Sequence, residues 1–166
     1  MEIRDACATD AAAIRRVHRE AFGGDLEVRL VDLLRERGKE IVSLVAVEVG
    51  EVIGHVLLSP VTIDGAERVR ALGLAPVGVL PANQRAGIGS ALIREGIRRA
   101  AAGGYELIVL VGAPAYYAKF GFHAAKAYGL DNEYGADDEF MVVGLRERSL
   151  EGVRGLVRYA PEFAEV

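Results

Sequence analysis

A glycine-containing loop between an apolar run and an amphipathic segment is the part of this chain best suited to chemistry. Pro81 follows the apolar run, and Gly87 and Gly89 stand where residues with helical spacing begin. Glycine allows backbone N–H groups to approach a ligand closely, and the first turn of a helix leaves N–H groups unpaired beside a partial positive charge. A strand, a glycine loop and a helix start in this order favour binding of an anion, most often a phosphate.

The flanking residues predict the elements that hold this loop. Residues 74–80 form a short apolar run bounded by proline, which indicates a buried strand. Small and apolar residues recur at helical spacing from Ile88, and Gly103 and Gly104 predict the end of that helix. Two common phosphate motifs do not fit, because GxGxxG requires glycine at Leu92 and the P-loop requires a Lys-Ser/Thr pair.

The pattern that does fit is Q-x-x-G-x-G, formed by Gln84, Gly87 and Gly89 directly after a strand ending in V-x-V-x-P. This segment resembles the acetyl-CoA loop of the GCN5-related N-acetyltransferases, the GNAT superfamily. A second feature that resembles this family, Y-x-x-x-G-F, begins at Tyr117 and follows in the expected order. Residues 30–38, 42–63 and 140–145 further resemble a bacterial subgroup of the family often called YhbS-like.

The resemblance implies that acetyl-CoA is the co-substrate. Backbone groups around Val77, Gly78 and Val79 are expected to pair with the pantetheine arm, with an amide near Val79 facing the thioester carbonyl. The pyrophosphate is expected to lie against the backbone amides of one loop, with the Arg85 side chain as a possible further contact. The residues of this loop are Gln84, Arg85, Ala86, Gly87, Ile88, Gly89 and Ser90.

Tyr117 occupies the position at which this family places a general acid. Acetyl transfer to an amine passes through a tetrahedral species whose negative oxygen a fixed backbone N–H stabilises. The leaving thiolate can take a proton from a neutral phenol, and tyrosine keeps its proton at neutral pH. We therefore expect direct attack by the amine, without an acyl-enzyme. Many family members carry an Asn shortly before this Tyr, whereas this chain has Gly112, Ala113 and Pro114 there.

The base that deprotonates the amine has three candidates. His55 lies on a predicted hairpin strand, Glu27 lies in a predicted helix beside the expected acceptor cleft, and a bound water is the third. Both side chains also fit structural roles, His55 as a core histidine and Glu27 as a solvated helix carboxylate. The remaining histidines, His18 and His123, are not spaced with acidic or sulfur ligands, so no metal site is expected.

The composition of the sequence predicts the class of protein, its cellular location and the kinds of partner it has. With 166 residues, half of them hydrophobic, the chain is expected to form a single domain over residues 1–166. One cysteine and no basic-then-apolar leader favour a reducing, cytoplasmic location. The net charge of −4 with dispersed basic residues disfavours nucleic acid, and no apolar run is long enough for a membrane span. The expected partner is a small-molecule amine or a protein amine, and a homodimer is a family expectation.

The order of the predicted elements favours an α/β (α+β) fold with a mixed, mostly antiparallel twisted sheet flanked by helices and a central β-loop-α site. A helix over 11–22 is expected to be capped by Thr9 or Asp10, and residues 128–138 are expected to be a loop. The other predicted strands cover 2–4, 41–49, 52–63, 105–111, 122 onward and, as the last strand, 140–145. The other predicted helices cover 27–37, 115–120 and 150–157.

Two other functions use the same loop. A non-catalytic acyl-CoA sensor would bind the same ligand without turnover. A dinucleotide-binding oxidoreductase is disfavoured by the missing third glycine and by the missing acidic residue after a following parallel strand.

Overall fold

The computed structural model describes residues 1–166 and contains nine β-strands and four α-helices, joined in places by short 3-10 turns. The strands are β1 (Glu2–Asp5), β2 (Val42–Glu48), β3 (Glu51–Ile63), β4 (Ala71–Val79), β5 (Leu107–Val111), β6 (His123–Ala124), β7 (Leu130–Asn132), β8 (Phe140–Gly144) and β9 (Gly155–Arg158). The helices are α1 (Ala11–Phe22), α2 (Leu26–Glu36), α3 (Ile88–Ala102) and α4 (Pro114–Tyr117). None of these helices has the length and apolar character needed to cross a bilayer.

The chain forms two compact units. The first consists of Met1–Ser59, Ala75–Arg98 and Pro161–Val166, and the second of Pro60–Leu74 and Arg99–Ala160. Strands β3 and β4 each contribute residues to both units. The single domain expected over residues 1–166 stays a prediction.

The first unit is built on antiparallel strands. Strand β2 pairs with β1 on one side and with β3 on the other, and a register shift interrupts the β2–β3 ladder between Ala46 and Val47. Val49 and Gly50 both have positive φ angles, which matches the twist that a tight hairpin requires. The predicted hairpin is therefore confirmed. Helices α1 and α2 each turn an apolar stripe inward, with Val17 and Leu34 fully buried.

The second unit contains the parallel ladders. The start of β4 pairs with β5 in parallel over Ala71–Gly73, and α3 lies between the two strands in the chain. Strand β8 is antiparallel to both β5 and β6, while β9 is parallel to β7 and antiparallel to the end of β3. The buried run Leu107–Leu110 of β5 agrees with a strand that is covered on both faces.

Three sequence predictions are wrong. Residues 150–157 do not form a helix, because Gly152 and Gly155 have positive φ angles and the chain pairs as β9 instead. Strand β8 is therefore not the last strand, and the predicted loop over 128–138 contains β7. Strand β7 pairs with β9, and β9 also pairs with β3, so their formation depends on partners that are distant in sequence.

The predicted cap by Asp10 is wrong, because the Asp10 side chain makes no capping hydrogen bond to α1. A 3-10 turn over Ala8–Asp10 precedes the helix, and the Asp10 carboxylate accepts a hydrogen bond of 2.8 Å from the Cys7 amide of that turn. The same carboxylate accepts two hydrogen bonds from Arg4. Asp10 thus joins the start of α1 to the end of β1.

Gly54 of β3 lies where the first turns of α3 approach the sheet. A Cβ atom added there would lie 3.0 Å from Leu92 Cδ1, 3.2 Å from Ile88 Cγ2 and 3.3 Å from the Gly78 carbonyl oxygen. These are closer than most real Cβ contacts, so only glycine at this position allows the helix to sit this near to the strand.

We expect Gly54→Val to lower the free energy of unfolding by about 1–3 kcal/mol, because the extra carbons overpack the contact with α3. Urea denaturation followed by circular dichroism measures the change. The matched control is Gly24→Ala, where an added Cβ meets nothing within 4 Å, and which should change stability by less than about 0.5 kcal/mol. Equal effects of the two substitutions would contradict the role given to close packing at Gly54.

Candidate active site

The predicted anion-binding residues lie in one loop between β4 and α3, which we call the 84–90 loop. Strand β4 ends at Val79, a 3-10 turn covers Pro81–Asn83, and α3 begins at Ile88. The Leu80 amide donates a hydrogen bond of 2.9 Å to the carbonyl oxygen of Ile53, which fixes the exit of β4 against β3.

The backbone of this loop alternates between conformations. Arg85 and Gly87 have φ angles of 64° and 83°, in the left-handed region, and Ile88 begins the right-handed helix. A left-handed residue next to a helical one turns successive N–H groups toward the same side, which makes a concavity suited to an anion. The amides of residues 85–89 form no hydrogen bond within the protein, and Ala91 N, in the first turn of the helix, donates to Gly87 O.

Gln84 holds the loop in place through its side chain. Its side-chain amide donates a hydrogen bond of 3.0 Å to the Val79 carbonyl oxygen, at the end of β4. Its backbone amide lies 3.4 Å from the carbonyl oxygen of Pro81. Both donors therefore point back into the protein, so the unpaired amides begin at Arg85.

Val77, Gly78 and Val79 form the final part of β4. The ladder between β4 and β5 ends at Gly73, so these three residues lie beyond the last β4–β5 pair. This is the situation in which a strand can offer backbone donors and acceptors to an extended ligand.

A buried chain of hydrogen bonds lies in contact with Gly78. His18 Nε2 is 2.8 Å from His55 Nδ1, and His55 Nε2 is 2.8 Å from Ser43 Oγ. The two histidine side chains are fully buried. Both ring nitrogens of His55 are bonded within the protein, so neither is available to a substrate.

The free end of this series of hydrogen bonds is His18 Nδ1, a buried atom without a hydrogen-bond partner. A Cβ atom added to Gly78 would lie 2.9 Å from His18 Nδ1 and 3.4 Å from the Phe22 ring. Leaving such a group unsatisfied costs about 1–3 kcal/mol, so an unpaired buried nitrogen at this place requires an explanation.

Burial keeps both histidines neutral at pH 7. It lowers the pKa of His18 to about 4. Burial also lowers the pKa of His55 well below its ordinary value, with a further lowering from His18 and an opposing effect of Asp10.

The sequence indicates His55 as a candidate base but indicates no catalytic role for His18. The signal was nevertheless present, because His18 falls on the apolar face of the predicted helix over 11–22, between Val17 and Ala21. A histidine on a buried helix face needs a polar partner, and a second histidine on an inner strand supplies one.

Tyr117 ends the short helix α4, and its ring lies on the backbone of Gly112. A Cβ atom added to Gly112 would come within 2.7 Å of Tyr117 Cδ2, so a larger residue there would displace the ring. This contact gives a structural reason for glycine at the position where the sequence departs from the family pattern. Burial, and to a smaller extent Tyr116, raises the pKa of Tyr117, which therefore remains a neutral phenol at pH 7.

Glu27 is half-buried in the first turn of α2. The structure contains no group of three or more His, Cys, Asp or Glu side chains that could hold a metal ion.

Comparison with known proteins identifies the family. A sequence model described as an acetyltransferase (GNAT) domain matches residues 2–125. The chain therefore belongs to the GNAT family of N-acetyltransferases. It is a homologue of YhbS of Escherichia coli K12, described as an uncharacterized N-acetyltransferase, with 37% identity over 165 residues and 98% of each chain covered. YjhQ of the same organism is 35% identical over 117 residues, which cover 69% of this chain and 65% of YjhQ.

Solved structures show the same fold. The crystal structure of Escherichia coli YhbS in complex with CoA matches with a TM-score of 0.94 at 35% identity, covering 98% of this chain and 91% of that one. A GNAT family acetyltransferase from Brucella melitensis in complex with acetyl-CoA matches with a TM-score of 0.83 at 38% identity, covering 98% and 97%. The predicted GNAT fold, a mixed and mostly antiparallel sheet flanked by helices, is confirmed.

We expect the stability of the protein to fall as the pH is lowered from about 6.5 to about 4. The unfolded chain takes up protons on its histidines near their ordinary pKa of about 6.5, whereas folded His18 takes one up only near pH 4. The part of the free energy of unfolding that comes from the buried neutral imidazole is therefore complete above pH 6.5. It is lost as the pH falls, by about 3 kcal/mol for His18. Asp10, held by Arg4, has a lowered pKa and stays charged in this range.

Urea titrations at a series of pH values measure this dependence. His18→Asn should flatten the slope between pH 6.5 and 4, because one buried titrating group is removed. The control is His123→Gln, which removes an exposed histidine and should leave the slope unchanged. A wild-type stability that is constant over this range would contradict the neutral state of the buried pair.

Proposed function

We propose that this chain binds acetyl-CoA at the 84–90 loop and transfers the acetyl group to a primary amine. The observation that carries the proposal is the set of backbone amides over residues 85–89, which form no hydrogen bond within the protein. Unpaired amides at the start of a helix are the usual binding site for a phosphate group. Membership of the GNAT family and the CoA and acetyl-CoA bound in the two similar structures agree with this assignment.

The charges near the loop suit a diphosphate. The first turn of α3 contains no acidic residue, so nothing opposes the positive end of its dipole. Arg85 is exposed and its guanidinium has no protein partner, which leaves it available for a charge-assisted hydrogen bond to phosphate. We assign the diphosphate to the amides from Arg85 to Gly89, with the Gln84 side chain fixing the loop to Val79.

The end of β4 supports the assignment of the acyl arm. Val77, Gly78 and Val79 lie beyond the β4–β5 ladder, where extended backbone can pair with a ligand as with an added strand. Bound acetyl-CoA supplies an acetyl thioester. A backbone amide near Val79 would stabilise the negative oxygen that develops on transfer, an effect worth about 3–4 kcal/mol for one donor.

We propose direct attack by the amine, with Tyr117 donating a proton to the departing thiolate. A phenol that stays neutral at pH 7 is a suitable donor, and the Gly112 contact fixes the ring. Glu27 remains our candidate for contact with the cationic acceptor. The acceptor is a small-molecule amine or a protein amine, and a homodimer and a cytoplasmic location stay predictions from the sequence.

We expect Gly87→Asp to abolish acetyl-CoA binding, because it places a carboxylate where the diphosphate lies and strains a residue with φ of 83°. Isothermal calorimetry measures the affinity, with NAD as a ligand that should not bind. The matched control is Gly65→Asp, at a φ of 82° and with equally open space, which should cause similar strain and leave the affinity unchanged. Undiminished affinity in Gly87→Asp would rule out the 84–90 loop as the diphosphate site.

We expect Tyr117→Phe to lower kcat about 100-fold while acetyl-CoA affinity stays within twofold, because only the proton donor is removed. Turnover is measured as release of the CoA thiol from acetyl-CoA over a panel of amines, polyamines, aminoglycosides and peptide N-termini. Tyr116→Phe is the matched control, since it removes the neighbouring hydroxyl. Full turnover in Tyr117→Phe would remove Tyr117 from the mechanism, and binding without turnover on every amine would favour the acyl-CoA sensor.

A further inference from the structure

Four side chains form a continuous line from the protein surface into the first unit. Phe22 is 48% exposed, and its ring stacks on that of His18 with 5.9 Å between centroids and 16° between planes. The line continues through His18 and His55 to Ser43, by the two hydrogen bonds of 2.8 Å. The other end of the line, Ser43, is only partly buried, so both ends lie near solvent.

The outer nitrogen of this line is aimed at the proposed acyl site. His18 Nδ1 is buried, has no partner, and would lie 2.9 Å from a Cβ atom at Gly78. Gly78 is one of the residues to which we assign the acyl arm, and the absence of a side chain there allows the strand backbone to lie against the imidazole. The Phe22 ring stacks on the His18 ring and is itself 48% exposed, so it lies between His18 and solvent.

The hydrogen bonds allow two neutral arrangements of protons. In the first, His18 Nε2–H donates to His55 Nδ1 and His55 Nε2–H donates to Ser43, which leaves a bare lone pair on His18 Nδ1. In the second, Ser43 Oγ–H donates to His55 Nε2, His55 Nδ1–H donates to His18 Nε2, and His18 Nδ1 carries a proton. Conversion between them moves one proton equivalent along the line without leaving a charge in the core.

We propose that His18 Nδ1 is the base that accepts the proton of the acceptor amine, and that His55 and Ser43 are positioning residues that pass the charge to solvent. This proposal rests on the acetyl transfer proposed above. The N–H bond of the amine breaks and a bond to His18 Nδ1 forms. The Nε2 proton of His18 passes to His55 Nδ1, the Nε2 proton of His55 passes to Ser43 Oγ, and the Ser43 hydroxyl proton goes to water.

A relay of this kind answers a difficulty that a single buried histidine would have. Burial disfavours an imidazolium, so His18 alone would be a weak base in this position. Transfer along the line ends with both imidazoles neutral and the charge in water. After product release, a proton entering at Ser43 and loss of the Nδ1 proton restore the first arrangement. Asp10 is the charged group that acts on His55, and its ion pair with Arg4 keeps its charge fixed.

Two substitutions at His18 distinguish the roles of its two ring nitrogens. His18→Gln keeps a polar group near the Nε2 position and removes Nδ1, whereas His18→Asn keeps one near Nδ1 and removes the bond to His55. We expect His18→Gln to lower kcat at least 100-fold with acetyl-CoA affinity within twofold by calorimetry. Ser43→Ala should lower kcat about 10-fold and shift the pH profile of kcat, since the exit for the proton is lost. His123→Gln should retain the wild-type rate.

Nitrogen NMR on the wild-type protein tests the same proposal without turnover. Long-range ¹H–¹⁵N spectra distinguish protonated from bare ring nitrogens, and His18 Nδ1 should carry a bare lone pair in a measurable fraction of molecules at pH 7. Ser43→Ala should change the tautomer ratio of both histidines. A His18 locked with a proton on Nδ1, or a His18→Gln variant with full kcat, overturns the proposal.

The experiments distinguish an error in the proposed acetyl transfer from an error in the proposed role of the histidine line. If wild-type protein does not bind acetyl-CoA in the calorimeter, the proposed function is wrong. If it binds and turns over while His18→Gln and Ser43→Ala keep the wild-type rate and pH profile, the role of the histidine line is wrong and the proposed function stands.

Discussion

The backbone amides between β4 and α3 set the main constraint on this structure. A buried or ligand-facing N–H without a partner is unfavourable, and almost every amide in a folded protein is paired. Here the amides of residues 85–89 make no hydrogen bond within the protein, and the start of α3 adds its own positive end. The loop keeps them turned outward because Arg85 and Gly87 have left-handed backbone and the Gln84 side chain is tied to Val79. Such amides are suited to an anion, which is the basis of the proposed diphosphate site.

Missing Cβ atoms allow three close contacts beside residues that have a proposed function. At Gly54 the absence of a side chain allows α3 to lie close to β3, and at Gly78 it makes room for His18. At Gly112 it provides the surface on which the Tyr117 ring rests. In each case the neighbour is a residue or a helix to which we give a part in binding or catalysis. Close packing therefore decides where functional groups lie, in addition to stabilising the fold.

The buried histidines show how the interior can hold titratable groups without charge. Each imidazole has one nitrogen that can donate and one that can accept, so His18, His55 and Ser43 satisfy one another as neutral groups. The arrangement gives the protein a dependence on pH and leaves one nitrogen available next to Gly78. A core made of apolar side chains alone would be simpler to stabilise, which is why the unpaired nitrogen suggests a function.

The sequence by itself determined the family and the central element. Hydrophobic periodicity, together with the glycines and prolines that end elements, specified the helix over 11–22 and the hairpin around Val49 and Gly50. The same signals specified the strand, loop and helix that contain Gln84, Gly87 and Gly89. These features depend on residues that are neighbours in the chain. Only the tertiary structure decided that residues 155–158 pair as a strand, since that pairing uses β3 and β7. It also decided that His18 meets His55 and that Tyr117 lies on Gly112. Contacts between residues far apart in sequence have no periodic signal, and folding alone brings them within hydrogen-bonding distance.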